Sequence, residues 1–205
     1  MPVCSLEHEA SLNARGVTPV AGIDEAGRGP LAGPLYAAAV ILPAGFYLDG
    51  LNDSKKLTAV RRERLYGQLT TMSGIVWASV SMPPAEVDRV NVLRATHAAM
   101  RAAWANLDLR PVHVLIDGLP VPDFPCPQTA LVGGDGLSLS IAAASIIAKV
   151  ERDRAMVQFD REYPDYGFAK HKGYPTREHF DKLRDHGPCP IHRKSFAPVA
   201  QYALC

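Results

Sequence analysis

The sequence predicts an α/β domain built on a mixed sheet of five strands flanked by helices. Three observations predict it. Short apolar or β-branched runs of strand length recur between Pro, Gly and acidic residues. Longer segments place apolar residues at spacings of three and four, which is helical periodicity. Acidic residues recur at strand ends, where open α/β sheets place their ligands. A chain of 205 residues with 47% apolar content can bury one sizeable core. Residues 1–18 read as a loose tail, and residues 19–205 as one domain.

Val20 to Glu25 is the first strand. Side chains alternate faces along a strand, so Asp24 and Glu25 cannot both enter a core. Adjacent carboxylates raise each other's pKa unless a cation neutralises them. Gly27-Arg28-Gly29-Pro30 follows, a turn whose backbone amides are barely covered by side chains and can face one anion or hydroxyl. Its glycine spacing is not the dinucleotide fingerprint, and no Walker lysine pattern occurs.

Leu35 to Leu42 is the second strand, ended by Pro43. Asp53 to Leu57 is a polar loop carrying Lys55 and Lys56, and Thr58 is the N-cap of a helix through about Thr70. Ile75 to Met82 is the third strand, stopped by Pro83-Pro84. Asn91 to Leu107 is an amphipathic helix in which His97 packs. Val112 to Ile116 is the fourth strand and ends at Asp117-Gly118. Gln128 to Val132 is the fifth and leads into Gly133-Gly134-Asp135-Gly136. Ser138 or Ser140 caps a long helix through about Glu162, with Ala142, Ile146 and Val150 facing the core. Lys149 and Asp153 on another face are spaced as an i,i+4 ion pair.

Tyr163 to Pro190 changes character. Lys170, His171 and Lys172 interleave with Tyr174 in an extended, glycine-jointed segment, which suits nucleic acid: cations for phosphate and a ring for stacking. Thr176 caps a last helix through about His186.

Net charge is +1 and the pI about 7.7, so any phosphate-binding surface is local rather than global. The four cysteines form no Cys-x-x-Cys pair and read as reduced thiols. Cys189 and His192 offer half of a zinc site without a second pair nearby. The sequence has no signal-peptide core and no apolar run of membrane-spanning length, so a soluble, cytoplasmic protein is expected.

Asp24, Glu25, Asp117 and Asp135 all stand at or just past strand exits, where a sheet could gather them. Four carboxylates without adjacent His favour Mg²⁺ or Mn²⁺. Two such ions would clamp a scissile phosphate, which is hydrolytic nuclease chemistry. No G-x-S-x-G or serine triad is suggested.

With these residues assembled, the sequence resembles the type 2 ribonucleases H from about Val20 to Val199. The resemblance is carried by Gly-Ile-Asp-Glu-Ala-Gly-Arg-Gly-Pro (22–30), Asn-Asp-Ser-Lys-Lys-Leu (52–57) and Leu-Ile-Asp-Gly (115–118). Two further motifs carry it: Ala-Ala-Ala-Ser-Ile-Ile-Ala-Lys-Val-Glu-Arg-Asp (142–153) and Tyr-Gly-Phe-Ala-Lys-His-Lys-Gly-Tyr-Pro-Thr (166–176). It implies a ribonuclease-H-like fold with a C-terminal helical extension from about residue 163. It also implies a metal-dependent endonuclease that cuts the RNA strand of RNA–DNA hybrids and leaves 3′-hydroxyl and 5′-phosphate ends.

By position, Asp24, Glu25 and Asp117 match the family's metal ligands, and Asp135 its fourth catalytic carboxylate. Gly27, Arg28 and Gly29 match the segment that reads the ribose 2′-hydroxyl. Tyr174 matches the tyrosine that packs on the following deoxyribose, and together these imply cutting 5′ of single ribonucleotides in duplex DNA. Lys55, Lys56, Lys149 and Lys172 complete the expected nucleic-acid surface. Two residues before Asp135 the family often has lysine; here Gly133 stands. Arg28 and the short tail argue against the type 3 branch. A monomer is expected. The competing readings are a resolvase- or integrase-type two-metal DNA nuclease and a non-catalytic hybrid-binding protein.

Overall fold

The structure is a computed structural model describing residues 4–52, 54 and 57–202. In chain order the elements are helix α1 (Glu7–Asn13), strands β1 (Val20–Ala26) and β2 (Leu35–Ile41), helix α2 (Ala59–Thr71) and strand β3 (Val76–Met82). Helices α3 (Pro84–Val90) and α4 (Val92–Ala105), strands β4 (His113–Asp117) and β5 (Gln128–Leu131) and the long helix α5 (Leu139–Glu162) follow. Helices α6 (Phe168–His171), α7 (Arg177–His186) and α8 (Ala197–Ala200) complete the chain.

The strands form one mixed sheet in the order β3-β2-β1-β4-β5. β2 runs antiparallel to β1 and β3, with Gly22 opposite Val40 and Leu35 opposite Met82. β4 runs parallel to β1 and β5, with Val20 opposite His113 and Asp117 opposite Leu131. The expected fold class is therefore observed: a five-stranded mixed sheet between helical layers, with a helical C-terminal region. Period-2 alternation sorts the strand residues. Ala21, Ile23, Ala37 and Ala39 pack toward α4, whereas Ala38 and Val40 pack on Ile146 and Ile147 of α5 and Leu65 and Leu69 of α2. Gly22 lets α5 approach β1, because a Cβ there would lie 2.2 Å from the Ser140 backbone.

The side chains of Thr58, Ser138 and Thr176 accept hydrogen bonds from the amides of Arg61, Ile141 and His179, and so cap α2, α5 and α7. Ser138 rather than Ser140 is the cap of α5.

Two expectations are corrected. The N-terminal segment is not a loose tail, since α1 docks through buried Glu9 and Leu12. The Oε1 atom of Glu9 accepts from the Ser138 hydroxyl at 2.6 Å, the Ser140 amide at 3.0 Å and the Ser140 hydroxyl at 2.6 Å. A helix of two turns tied by one carboxylate leaves no apolar periodicity to read. The Pro83-Pro84 stop of the third strand holds, since β3 ends at Met82, and Pro84 in addition opens α3 at the first helical position, where its missing N–H costs nothing. The 166–176 segment is not extended throughout: α6 forms one turn, anchored by the Ala169 amide donating to Asp160 Oδ1 at 2.9 Å. Among the described residues no helix is long and apolar enough to cross a membrane.

Candidate active site

β1 and β4 are parallel neighbours, so their C-terminal ends bring Asp24 and Asp117 to one edge of the sheet. Asp117 then places the third acid. Its Oδ1 accepts the Gly134 amide at 2.7 Å and so fixes the tight turn Gly134–Gly136 that carries Asp135. Asp24, Asp117 and Asp135 each offer a carboxylate oxygen within 4.8 Å of the others. Asp24 and Asp135 are buried, at 2% and 5% exposure, and Asp117 is half-buried.

Such a cluster repels itself. Burial first, then the charges of Glu25 and Asp117, push the Asp24 carboxyl well above the usual carboxylate range. Its Oδ1 accepts the Glu25 amide at 2.6 Å, while Oδ2 is buried with no hydrogen-bond partner among the described residues. A buried oxygen without a donor, inside a set of hard oxygen ligands, fits a divalent cation of the Mg²⁺ or Mn²⁺ type.

Glu25 points the other way along β1. It lies outside the three-acid group, 3.4 Å from Arg28 Nη1. It lines a cleft of about 140 Å³ with Arg28, Leu93, His97 and Asp117, so His97 faces this cleft rather than the core. Arg28 is exposed on the glycine turn, and Gly29 has open space beside it.

Two buried arginines build the turn. Arg193 donates through Nη2 to the carbonyls of Gly27 at 2.6 Å and Gly33 at 2.9 Å, through Nη1 to Arg28 at 3.0 Å and through Nε to Gly33 at 3.1 Å. Arg152 of α5 donates to the carbonyls of Pro34 at 3.0 Å, Ala32 at 3.2 Å and Lys172 at 2.9 Å. The carbonyls of Gly27, Arg28 and Gly33 are thus taken by arginine, and the Arg28 side chain stands exposed on the turn. Gly27 is required: its φ is +96°, and a Cβ there would lie 2.1 Å from Arg152 Nε. Burial lowers the pKa of both guanidiniums, and for Arg193 the charge of Arg152 adds to the effect.

Neither arginine was singled out from the sequence. Arg152 had a signal: it falls seven residues after Ser145 and four before Met156, on a buried stripe of α5. Arg193 had none, because His192-Arg193-Lys194 looks like any exposed basic run.

Tyr174 is 41% exposed, and its ring centre lies 5.6 Å from the Arg152 guanidinium and 5.8 Å from Lys149 Nζ. Lys149 also pairs with Asp153 at 2.7 Å, the i,i+4 contact its spacing predicts. Burial holds its pKa below the ordinary lysine value. The Lys172 ammonium hydrogen-bonds the Ala169 carbonyl, and its side chain lines a groove of about 470 Å³ between α2 and α5 with Arg62, Arg154 and Arg161. Lys55 and Lys56 lie outside the described residues. Their neighbour Ser54 is placed by its hydroxyl, 2.9 Å from that of Ser145 on α5. Gly133, exposed with open space around it, caps the Asp135 turn.

The sequence matches the family model described as ribonuclease HII over residues 21–199. A ribonuclease HII of Desulfitobacterium hafniense (strain DSM 10664 / DCB-2) is 56% identical over 96% of this chain and 75% of its own length. One from Moorella thermoacetica is 55% identical over 92% of this chain and 91% of its own. The crystal structure of the ribonuclease H2 from Pyrococcus horikoshii OT3 superposes with a TM-score of 0.75 at 25% identity, covering 90% of this chain and 97% of that one. Matched along nearly all of its domain and more than half identical to the Desulfitobacterium and Moorella proteins, this chain belongs to the ribonuclease HII family and is a ribonuclease H.

Proposed function

We propose that the protein hydrolyses the RNA strand of RNA–DNA hybrids and cuts 5′ of single ribonucleotides in duplex DNA, leaving 3′-hydroxyl and 5′-phosphate ends. The observation that carries this is the convergence of Asp24, Asp117 and Asp135 within 4.8 Å at the sheet edge, where the strand that bears Asp24 runs into the glycine turn of Gly27–Gly29. Divalent ions held there supply charge neutralisation at the scissile phosphate and activation of water. Asp24, Asp117 and Asp135 are the ligands. Glu25, one strand position away and lining the adjoining cleft with Asp117, would supply the fourth carboxylate.

The remaining residues orient the substrate. The Gly27–Gly29 backbone meets the ribose 2′-hydroxyl, the one group that separates RNA from DNA at a given sugar. Tyr174 presents its ring to the next, deoxy sugar. Lys149 and Lys172, together with Lys55 and Lys56, meet phosphates. A 2′-hydroxyl on one side and its absence on the other define a single embedded ribonucleotide.

The test is cleavage of an end-labelled DNA duplex carrying one ribonucleotide, beside an all-DNA control, with Mg²⁺, with Mn²⁺ and with a chelator. A metal-dependent cut 5′ of the ribonucleotide, with the control intact, is the expected result. Cutting of the control favours a DNA nuclease, and no cut on this duplex or on a long hybrid favours a hybrid-binding protein.

A further inference from the structure

The glycine turn and Tyr174 must hold a fixed spacing if they read adjacent sugars, and a buried path joins them. Arg193 grips the turn. Its chain neighbour His192 bridges to Ala32 in the same loop, and the Arg193 amide donates to the Leu31 carbonyl at 2.8 Å. On the other side, His179 of α7 reaches the Tyr174 backbone. The two imidazoles meet in the interior at 0% and 1% exposure, with their Nε2 atoms 3.0 Å apart.

The surrounding bonds assign every proton on this path. A carbonyl only accepts, so His179 Nδ1, 2.9 Å from the Tyr174 oxygen, carries its ring's proton and Nε2 is a lone pair. The Cys189 amide donates to His192 Nδ1 at 3.0 Å, which puts the His192 proton on Nε2. His192 therefore donates to His179, and both rings are neutral with both nitrogens used. His171 stacks on His179 with centroids 4.5 Å apart and accepts the Gly173 amide at 3.1 Å, which braces the residue before Tyr174.

We propose that His179 and His192 are positioning residues for ribonucleotide recognition, their Nε2–H···Nε2 hydrogen bond setting the spacing between Tyr174 and the Gly27–Gly29 turn. This rests on the reading of those two elements as the sugar readers. Neither histidine touches substrate. The bond transmits the placement of Arg193 to the backbone of Tyr174, so its loss blurs junction recognition while the carboxylate cluster stays intact.

The experiment compares kcat/KM on a one-ribonucleotide duplex and on a long hybrid for the wild type, His192→Leu, His192→Gln and, as reference, Tyr174→Ala. Leucine removes the donor; glutamine can return an N–H near the Nε2 position. The junction-to-hybrid ratio is expected to fall about tenfold in His192→Leu, as loss of one positioning hydrogen bond implies, and to stay within about twofold in His192→Gln. Equal losses on both substrates, or a fall in melting temperature with the ratio unchanged, would make the pair merely structural and overturn the proposal. If Tyr174→Ala leaves the ratio unchanged, the sugar reading of Tyr174 fails and the coupling falls with it. If Tyr174→Ala shifts the ratio and His192→Leu does not, only the coupling fails. Should His192→Leu not fold, long-range ¹H–¹⁵N correlation of the wild-type imidazoles at neutral pH decides. A proton on Nδ1 of His179 and on Nε2 of His192 is expected, and the opposite tautomer on either ring refutes the path.

Discussion

Arg193 donates through Nη2 to the carbonyl oxygen of Gly27 at 2.6 Å, across 166 residues of chain. The turn that follows β1 is thus shaped by a residue far along the chain. Lysine carries the charge but not the planar fork, so Arg193→Lys cannot reach the Gly27, Arg28 and Gly33 carbonyls together. Urea denaturation is expected to show a loss of about 2–4 kcal/mol. Cleavage at a single ribonucleotide should fall at least about tenfold, and more than cleavage of a long hybrid.

Asp24→Asn should abolish cleavage and leave hybrid binding intact, because it weakens the ligand set and spares the basic surface. The wild-type carboxylate is held above its ordinary pKa by burial and by Glu25 and Asp117. A raised folded-state pKa means that the ionised form costs stability as pH rises past it. In chelator at neutral pH the variant should therefore be the more stable protein, by on the order of 1 kcal/mol. Added Mn²⁺ should raise the melting temperature of the wild type only. Equal metal-induced shifts in both would remove Asp24 from the ligand set.

Acid should loosen the C-terminal region. Burial lowers His179 and His192 to about 4, and for His192 the neighbouring His179 adds to the effect. Folded pKa values below the unfolded value of about 6.5 give stability that is present above that pH and lost as pH falls toward 4. The loss is on the order of 3 kcal/mol for one such imidazole. Urea midpoints at neutral and mildly acid pH measure it, and His192→Gln should flatten the dependence.

Tyr174→Ala should lower junction cleavage more than hybrid binding, whereas Tyr174→Phe should do little, since the proposed contact with the sugar is made by the ring and not by its hydroxyl. Binding by anisotropy and single-turnover cleavage separate the two effects. Unchanged junction preference in Tyr174→Ala would remove Tyr174 from recognition.

Glu9→Ala should destabilise the fold by about 1–3 kcal/mol, because the Ser138 and Ser140 donors lose their shared acceptor. Glu9→Gln keeps an acceptor and should cost less than about 1 kcal/mol. Thermal melts of both variants test whether α1 is part of the folded domain.

The strands and principal helices, the caps at Thr58 and Thr176, the three aspartates at strand exits and the family to which the motifs belong were all legible in the sequence, whereas the choice of Ser138 over Ser140 as the cap of α5 was not. The legible features are local: a period of two or 3.6, a capping residue, a turn glycine. Tertiary structure alone decided which charges are buried and what they face. It set Asp24 toward α5 and Glu25 toward Arg28, turned two arginines inward onto backbone carbonyls, docked α1 through one carboxylate and paired His179 with His192. The physical reason is the same in each case. A buried polar group is stable only with partners, and here those partners lie far along the chain, 118 residues away for Arg152 and Pro34 and 129 for Glu9 and Ser138, beyond any local pattern.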